Sequence, residues 1–199
     1  MIKTETNRLM GILRWPTLRA KRWVQDFLNT VESNANILAV IAMGSAVRPD
    51  VTSLDLDLVV ICKKSASLVC RPPMEVDVRK FDAADVRKEI QSGNDLLGWS
   101  VKFGVILFER SRFWTNILQE CSNNLPFPSA EIARKRAEVT KQRVQELIRI
   151  GDMEAALEQK ISYYTHLARA ALIEHGVYPA SRPELPTQLR ATGEVVLAD

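Results

Sequence analysis

From Leu54 to Val60 the chain reads LDLDLVV. So short and apolar a run has the length of a strand. Successive strand side chains point to opposite faces, so residues i and i+2 share a face about 6.7 Å apart. Leu54, Leu56 and Leu58 are therefore expected in a core, with Asp55 and Asp57 on the opposite face. Two carboxylates that close repel each other and raise a pKa unless something compensates. A divalent cation is the usual compensation. Mg2+ takes a few carboxylates together with phosphate oxygens and water, and two such ions about 3.5–4 Å apart serve the attacking and leaving oxygens of phosphoryl or nucleotidyl transfer.

The surroundings extend that reading. Upstream, ILAVIAM (Ile37–Met43) is a continuous apolar run that ends at Gly44-Ser45. Glycine lets a backbone approach a phosphate closely, and a serine hydroxyl with the N–H groups of a turn can donate to phosphate oxygens. Arg48, three residues on, offers a cation for a triphosphate. Downstream, MEVDV (Met74–Val78) is expected as a strand with Met74, Val76 and Val78 on one face and Glu75 and Asp77 on the other. Asp77, flanked by two valines, is the first choice as a third acidic ligand and Glu75 the second.

Along the chain, residues 15–31 read as an amphipathic helix with Pro16 in its first turn and a break at SNAN. Strands are expected at Ile37–Met43, Leu54–Ile61, Met74–Val78 and Val105–Glu109, with KKSASLVCRPP as the connection between the second and third. Short helices are expected at Asp82–Ser92, capped by Asp82, at Leu96–Phe103 and at Phe113–Glu120. NNLPFPSAE then marks a boundary. Beyond it one helical stripe runs through Ala133, Ala137, Thr140, Val144, Leu147 and Ile148. A second runs through Met153, Leu157, Ile161, Tyr164, Ala168, Ala171 and Leu172, with Gly151-Asp152 as stop and cap between them. The organisation is α+β: a small mixed sheet with helices over residues 1–122, then an α-helical domain over 129–199.

Composition adds mainly exclusions. No apolar run has membrane-spanning length, and the N-terminus lacks a secretory pattern, so a cytoplasmic protein is expected, with no membrane partner. Three cysteines without CxxC spacing make neither a disulfide framework nor a zinc site. A net charge of +3, gathered early in residues such as Lys3, Arg8 and Arg14, does not by itself indicate nucleic acid.

The sequence AVIAMGS–AVRPDVTSL–DLDL, with its arginine at Arg48, resembles the signature of the DNA polymerase beta-type nucleotidyltransferase superfamily. Leu54 stands between Ser53 and the first aspartate, as in the polymerase branch, and Pro49 replaces the usual glycine. The helical second half is similar to small members of the kanamycin nucleotidyltransferase and MNT–HEPN types. The resemblance implies transfer of an NMP group from an NTP, ATP first, to a hydroxyl of a small molecule, protein or RNA end, with pyrophosphate released. It implies two Mg2+ ions, replaceable by Mn2+, held by Asp55 and Asp57, with Asp77 on the catalytic ion. Gly44 and Ser45 would hold the β and γ phosphates. It also raises a homodimer, a toxin-type protein partner, and an antitoxin-like binding module as an alternative function. Arg169 and His175 are similar in spacing to the HEPN ribonuclease pair. Ala170 stands where active members carry a polar residue, so His175 reads first as a helix-end histidine.

Overall fold

The computed structural model describes residues 9–49, 54–63, 71–121 and 123–194. Lys3, Arg8, Ser53 and the connection residues 64–70 lie outside the described residues, as do 195–199. The chain divides into two units, Met1–Pro126 and Phe127–Asp199.

Four strands form one sheet in the first unit: β1 (Ile37–Met43), β2 (Leu56–Cys62), β3 (Val76–Asp82) and β4 (Val105–Glu109). Their order is β3-β2-β1-β4. β1 is antiparallel to β2 and β4, and β2 is parallel to β3. With the helices that follow, the fold is α+β. The central strands are apolar on both faces because both faces are covered. In β1 only Leu38 is less than fully buried, and in β2 only Asp57. The whole of β2 is thus committed to the core except for one carboxylate.

Four helices complete this unit among the described residues: α1 (Leu18–Ser33), α2 (Val86–Gln91), α3 (Asp95–Phe103) and α4 (Phe113–Cys121). α1 buries Ala20, Val24, Phe27, Leu28 and Val31, the amphipathic face expected of it. It starts later than the sequence suggests because the Thr17 hydroxyl accepts the Ala20 N–H at 3.0 Å, which makes Thr17 the cap and leaves Pro16 outside. Asp82 does not cap a helix. It closes β3, and its carboxylate accepts the Ala84 N–H at 3.0 Å in the turn before α2.

Two strand starts depart from the alternation. Leu54, expected in the core, is 87% exposed, and Met74 is 99% exposed. Pairing of β2 with β3 begins only where the Leu56 N–H donates to the Glu75 carbonyl at 2.8 Å. Met74 and Glu75 lie in a turn closed by the Val76 N–H on the Pro73 carbonyl at 2.9 Å. Pro72 and Pro73 have no N–H to give a ladder, so β3 runs two residues later than the apolar pattern indicates and continues to Asp82.

The second unit is a helical hairpin with a short third helix: α5 (Ala130–Ile150), α6 (Met153–Glu174) and α7 (Leu185–Thr192). Gly151 is left-handed and Asp152 caps α6 through the Ala155 N–H, as the sequence indicates. Arg134 grips Glu174 with two nitrogens, joining the start of α5 to the end of α6. The stripes are only partly right. The buried residues along the hairpin are mostly small: Ala133, Ala137 and Thr140 on α5, and Ala156, Thr165 and Ala170 on α6 besides the end of its stripe. Ile148, Met153, Leu157, Ile161 and Tyr164 are exposed. Small side chains permit close helix approach, so they line the contact and the larger ones point out. The α6 stripe is buried only at Ala168, Ala171 and Leu172, where Leu185 and Leu189 of α7 cover it.

If β2 starts at Leu56, Leu58→Ala should destabilise the fold by about 2–5 kcal/mol. Leu54→Ala should change it by no more than about 0.5 kcal/mol. Urea unfolding of both variants checks this; equal losses would contradict the observed strand start.

Candidate active site

Asp57 sits where three chain segments meet. On one side, Met43 of β1 is its Cα partner across the antiparallel pair. The next residue, Gly44, turns sharply with φ 81° and ψ −165°, a conformation essentially reserved for glycine. A Cβ at Gly44 would lie 2.5 Å from Oδ2 of Asp57. The missing side chain is therefore needed twice, once for the backbone angle and once to leave room above the carboxylate.

After Gly44 the chain makes one tight turn, Ser45–Val47, in which the Arg48 N–H donates to the Ser45 carbonyl at 3.1 Å. The turn is anchored from below. Ala46 and Val47 are buried, and the Ala46 carbonyl accepts the N–H groups of Leu13 and Arg14 at 3.0 and 3.2 Å. Gly44, Ser45 and Arg48 remain partly exposed. The Arg48 guanidinium lies 4.6 Å from the ring centre of Phe103, at the end of α3. The same helix supports β1, since the buried Ser100 hydroxyl reaches Met43 Sδ at 3.3 Å.

On the other side, parallel pairing makes Asp77 the direct partner of Asp57, as Leu56 is of Val76. Side chains at paired positions share a face on strands about 4.8 Å apart. Asp55 precedes β2 and is exposed. Both it and Asp77 act on Asp57, whose pKa is pushed up to about 6, first by burial, then by the charges of Asp55 and Asp77, with Arg79 opposing. Glu75, the second choice for a third carboxylate, lies in the turn before β3, and its Oε2 is buried without a hydrogen-bond partner. Register therefore favours Asp77 beside Asp57, while Glu75 contributes an unsatisfied oxygen at the same end of the sheet.

Asp77 is not idle. Its Oδ2 accepts from Arg79 Nε at 2.9 Å and lies 2.8 Å from Nη2. Among the described residues no three His, Cys, Asp or Glu side chains are already gathered as a metal-binding group. Arg79 and Phe103 are the neighbours that the motif does not reveal. For Arg79 a signal exists, since it stands two residues after Asp77 on the same strand and so on the same face. Phe103 carries none.

In the helical unit, His175 caps α6. Its Nδ1 is 2.9 Å from the Ala171 carbonyl, an acceptor, and its Nε2 is 3.7 Å from Glu194 Oε1. Arg169 lies within α6, six positions earlier, about 120° away around an ideal helix.

No protein-family model matches the chain, and no curated protein does. Six solved chains match in structure. One is a nucleotidyltransferase-like protein from Exiguobacterium sibiricum 255-15, solved at 1.90 Å. It is 17% identical over 90% of this chain and 71% of its own, with a TM-score of 0.38.

The raised pKa of Asp57 fixes the sign of a pH effect. With divalent cations chelated, the folded state holds the Asp57 proton more tightly than the unfolded state between about pH 4 and 6. Stability is therefore greater below this window and falls as pH rises through it. The ionised form costs on the order of 2–3 kcal/mol at pH 7. Asp57→Asn should match the wild type near pH 4 and exceed it by about 2 kcal/mol at pH 7.5, in urea melts run in chelator. A difference independent of pH would contradict the burial of this charge.

Proposed function

We propose that this chain is a nucleotidyltransferase that moves an NMP group from an NTP, ATP first, to an acceptor hydroxyl and releases pyrophosphate. The observation that carries the reading is the convergence at Asp57 of the Gly44-Ser45 turn, of Asp55 just before β2, and of Asp77 of β3. The donor set fits Mg2+, with Mn2+ as a substitute. It offers oxygen ligands, a charge in need of compensation, and open space over Asp57 Oδ2 that a Cβ at residue 44 would fill. Asp55 and Asp57 would hold two ions and Asp77 one of them. When bound, the ions supply charge compensation for the triphosphate and for the leaving pyrophosphate.

The chain's own residues bind and orient. Gly44 admits the triphosphate close to the backbone, and the Ser45 hydroxyl and the turn N–H groups donate to its β and γ oxygens. Arg48, stacked on Phe103, adds a positioned positive charge beside the turn. The acceptor oxygen bonds to the α-phosphorus and the bond from that phosphorus to the bridging oxygen breaks. Asp77 receives the hydroxyl proton. A partner-binding module of the MNT–HEPN type is the second reading, favoured by one observation: Asp77 is engaged by Arg79. Calorimetry separates the two, because the enzyme binds ATP with Mg2+ and such a module does not.

Asp55→Asn and Asp57→Asn should each lower NMP transfer about a hundredfold or more. The assay offers each labelled NTP with cell extract as the acceptor source, and far-UV circular dichroism checks the fold. Transfer unchanged in both variants would end the proposal. Gly44→Ala tests the phosphate side. It should weaken ATP binding and destabilise the fold by about 1–3 kcal/mol, because the left-handed angle and the clash with Asp57 both oppose it.

A further inference from the structure

The geometry points to Arg79 as the counter-cation of this site: it holds the Asp77 carboxylate when no divalent cation is bound and releases it when one binds, and so sets how tightly the site takes metal. This inference rests on the reading of Asp55, Asp57 and Asp77 as metal ligands. Arg79 follows Asp77 by two residues on β3, so the strand itself places both side chains on the carboxylate-bearing face. Two guanidinium nitrogens meet the same oxygen, Oδ2 of Asp77, at 2.9 and 2.8 Å. The influence of Arg79 extends to the neighbouring strand, where its charge opposes the burial and repulsion that raise the Asp57 pKa.

Three carboxylates at one end of a sheet need positive charge in the unloaded protein as well as in the loaded one. Arg79 supplies it from within the chain. The pair is also easily broken. The Arg79 and Asp77 side chains are 64% and 48% exposed, and ion pairs of that exposure are weak and salt-screened. A dication competing for Asp77 therefore displaces a weak contact. It also meets the repulsion of a guanidinium a few ångströms away, so Arg79 both neutralises the empty site and lowers its metal affinity. A residue that only braced β3 would not affect ion binding in this way.

The test is Mn2+ titration of the full chain without nucleotide, with the free ion followed by its paramagnetic resonance signal. Arg79→Gln should bind Mn2+ roughly tenfold more tightly than the wild type, as expected for removing one positive charge beside a dication in a largely aqueous site. Arg79→Lys should stay near the wild type, and the gap between Arg79→Gln and the wild type should narrow as salt is added. In an Asp77→Asn background the gain should shrink, because the competition is for that carboxylate. Arg79→Gln binding Mn2+ equally or more weakly overturns this role and leaves the metal site standing. Wild-type protein that binds no Mn2+, or binds it equally well as Asp57→Asn, overturns the metal site and this role with it. If Arg79→Gln does not fold, Arg79→Met keeps the side-chain stem and reads the same difference.

Discussion

The register of β2 between its two neighbours is the constraint from which the rest of the site follows. Antiparallel pairing with β1 sets Asp57 opposite Met43 and under Gly44, and parallel pairing with β3 sets it beside Asp77. A slip of one residue would turn every side chain of β2 to the other face. That would carry the carboxylate into a fully buried position and put a leucine in the half-open place it leaves. The apolar residues of β2 fix the position of its one charged side chain, so fold stability and site geometry rest on the same hydrogen-bond ladder.

That arrangement carries an electrostatic cost in stability. Asp57 is the one residue of β2 left partly open, and it is a carboxylate pressed by burial and by two like charges. A chain selected for stability alone would place an apolar or neutral side chain there. The surrounding structure offsets the strain. Leu56, Leu58 and the residues beyond them are fully buried, the Gly44 turn is tied down through Ala46, and Arg79 lends a positive charge. A bound dication would relieve what remains, which makes unfavourable electrostatics in the empty site the expected companion of metal affinity in the loaded one.

Much of this was legible in the sequence, though unevenly. Alternation placed Asp57 and Asp77 on strands, and a Gly-Ser pair after an apolar run located the turn, because period and backbone freedom are local properties. The limits are also physical. Leu54 and Met74 continue the apolar pattern yet lie outside the ladder, since the Val76 N–H turns back onto the Pro73 carbonyl and Pro72-Pro73 carry no N–H to extend the pairing. The α6 stripe of large residues suggested a core, whereas the hairpin closes on Ala133, Ala137 and Ala156. Which face of a helix meets its neighbour depends on that neighbour's side chains, a tertiary fact. Phe103 under Arg48 joins residues distant in the chain, and no spacing announces it.

Asp57 joins the Gly44-Ser45 turn to the neighbouring carboxylates, so placing a metal ion and an ATP analogue relative to it tests the proposed function most directly. The measurement is anomalous diffraction from crystals grown with Mn2+ and a non-hydrolysable ATP analogue. The account predicts anomalous density in contact with Asp55 and Asp57, with the triphosphate running to the Gly44-Ser45 turn. Density for the analogue away from that turn, or manganese bound without contact to Asp57, would contradict it.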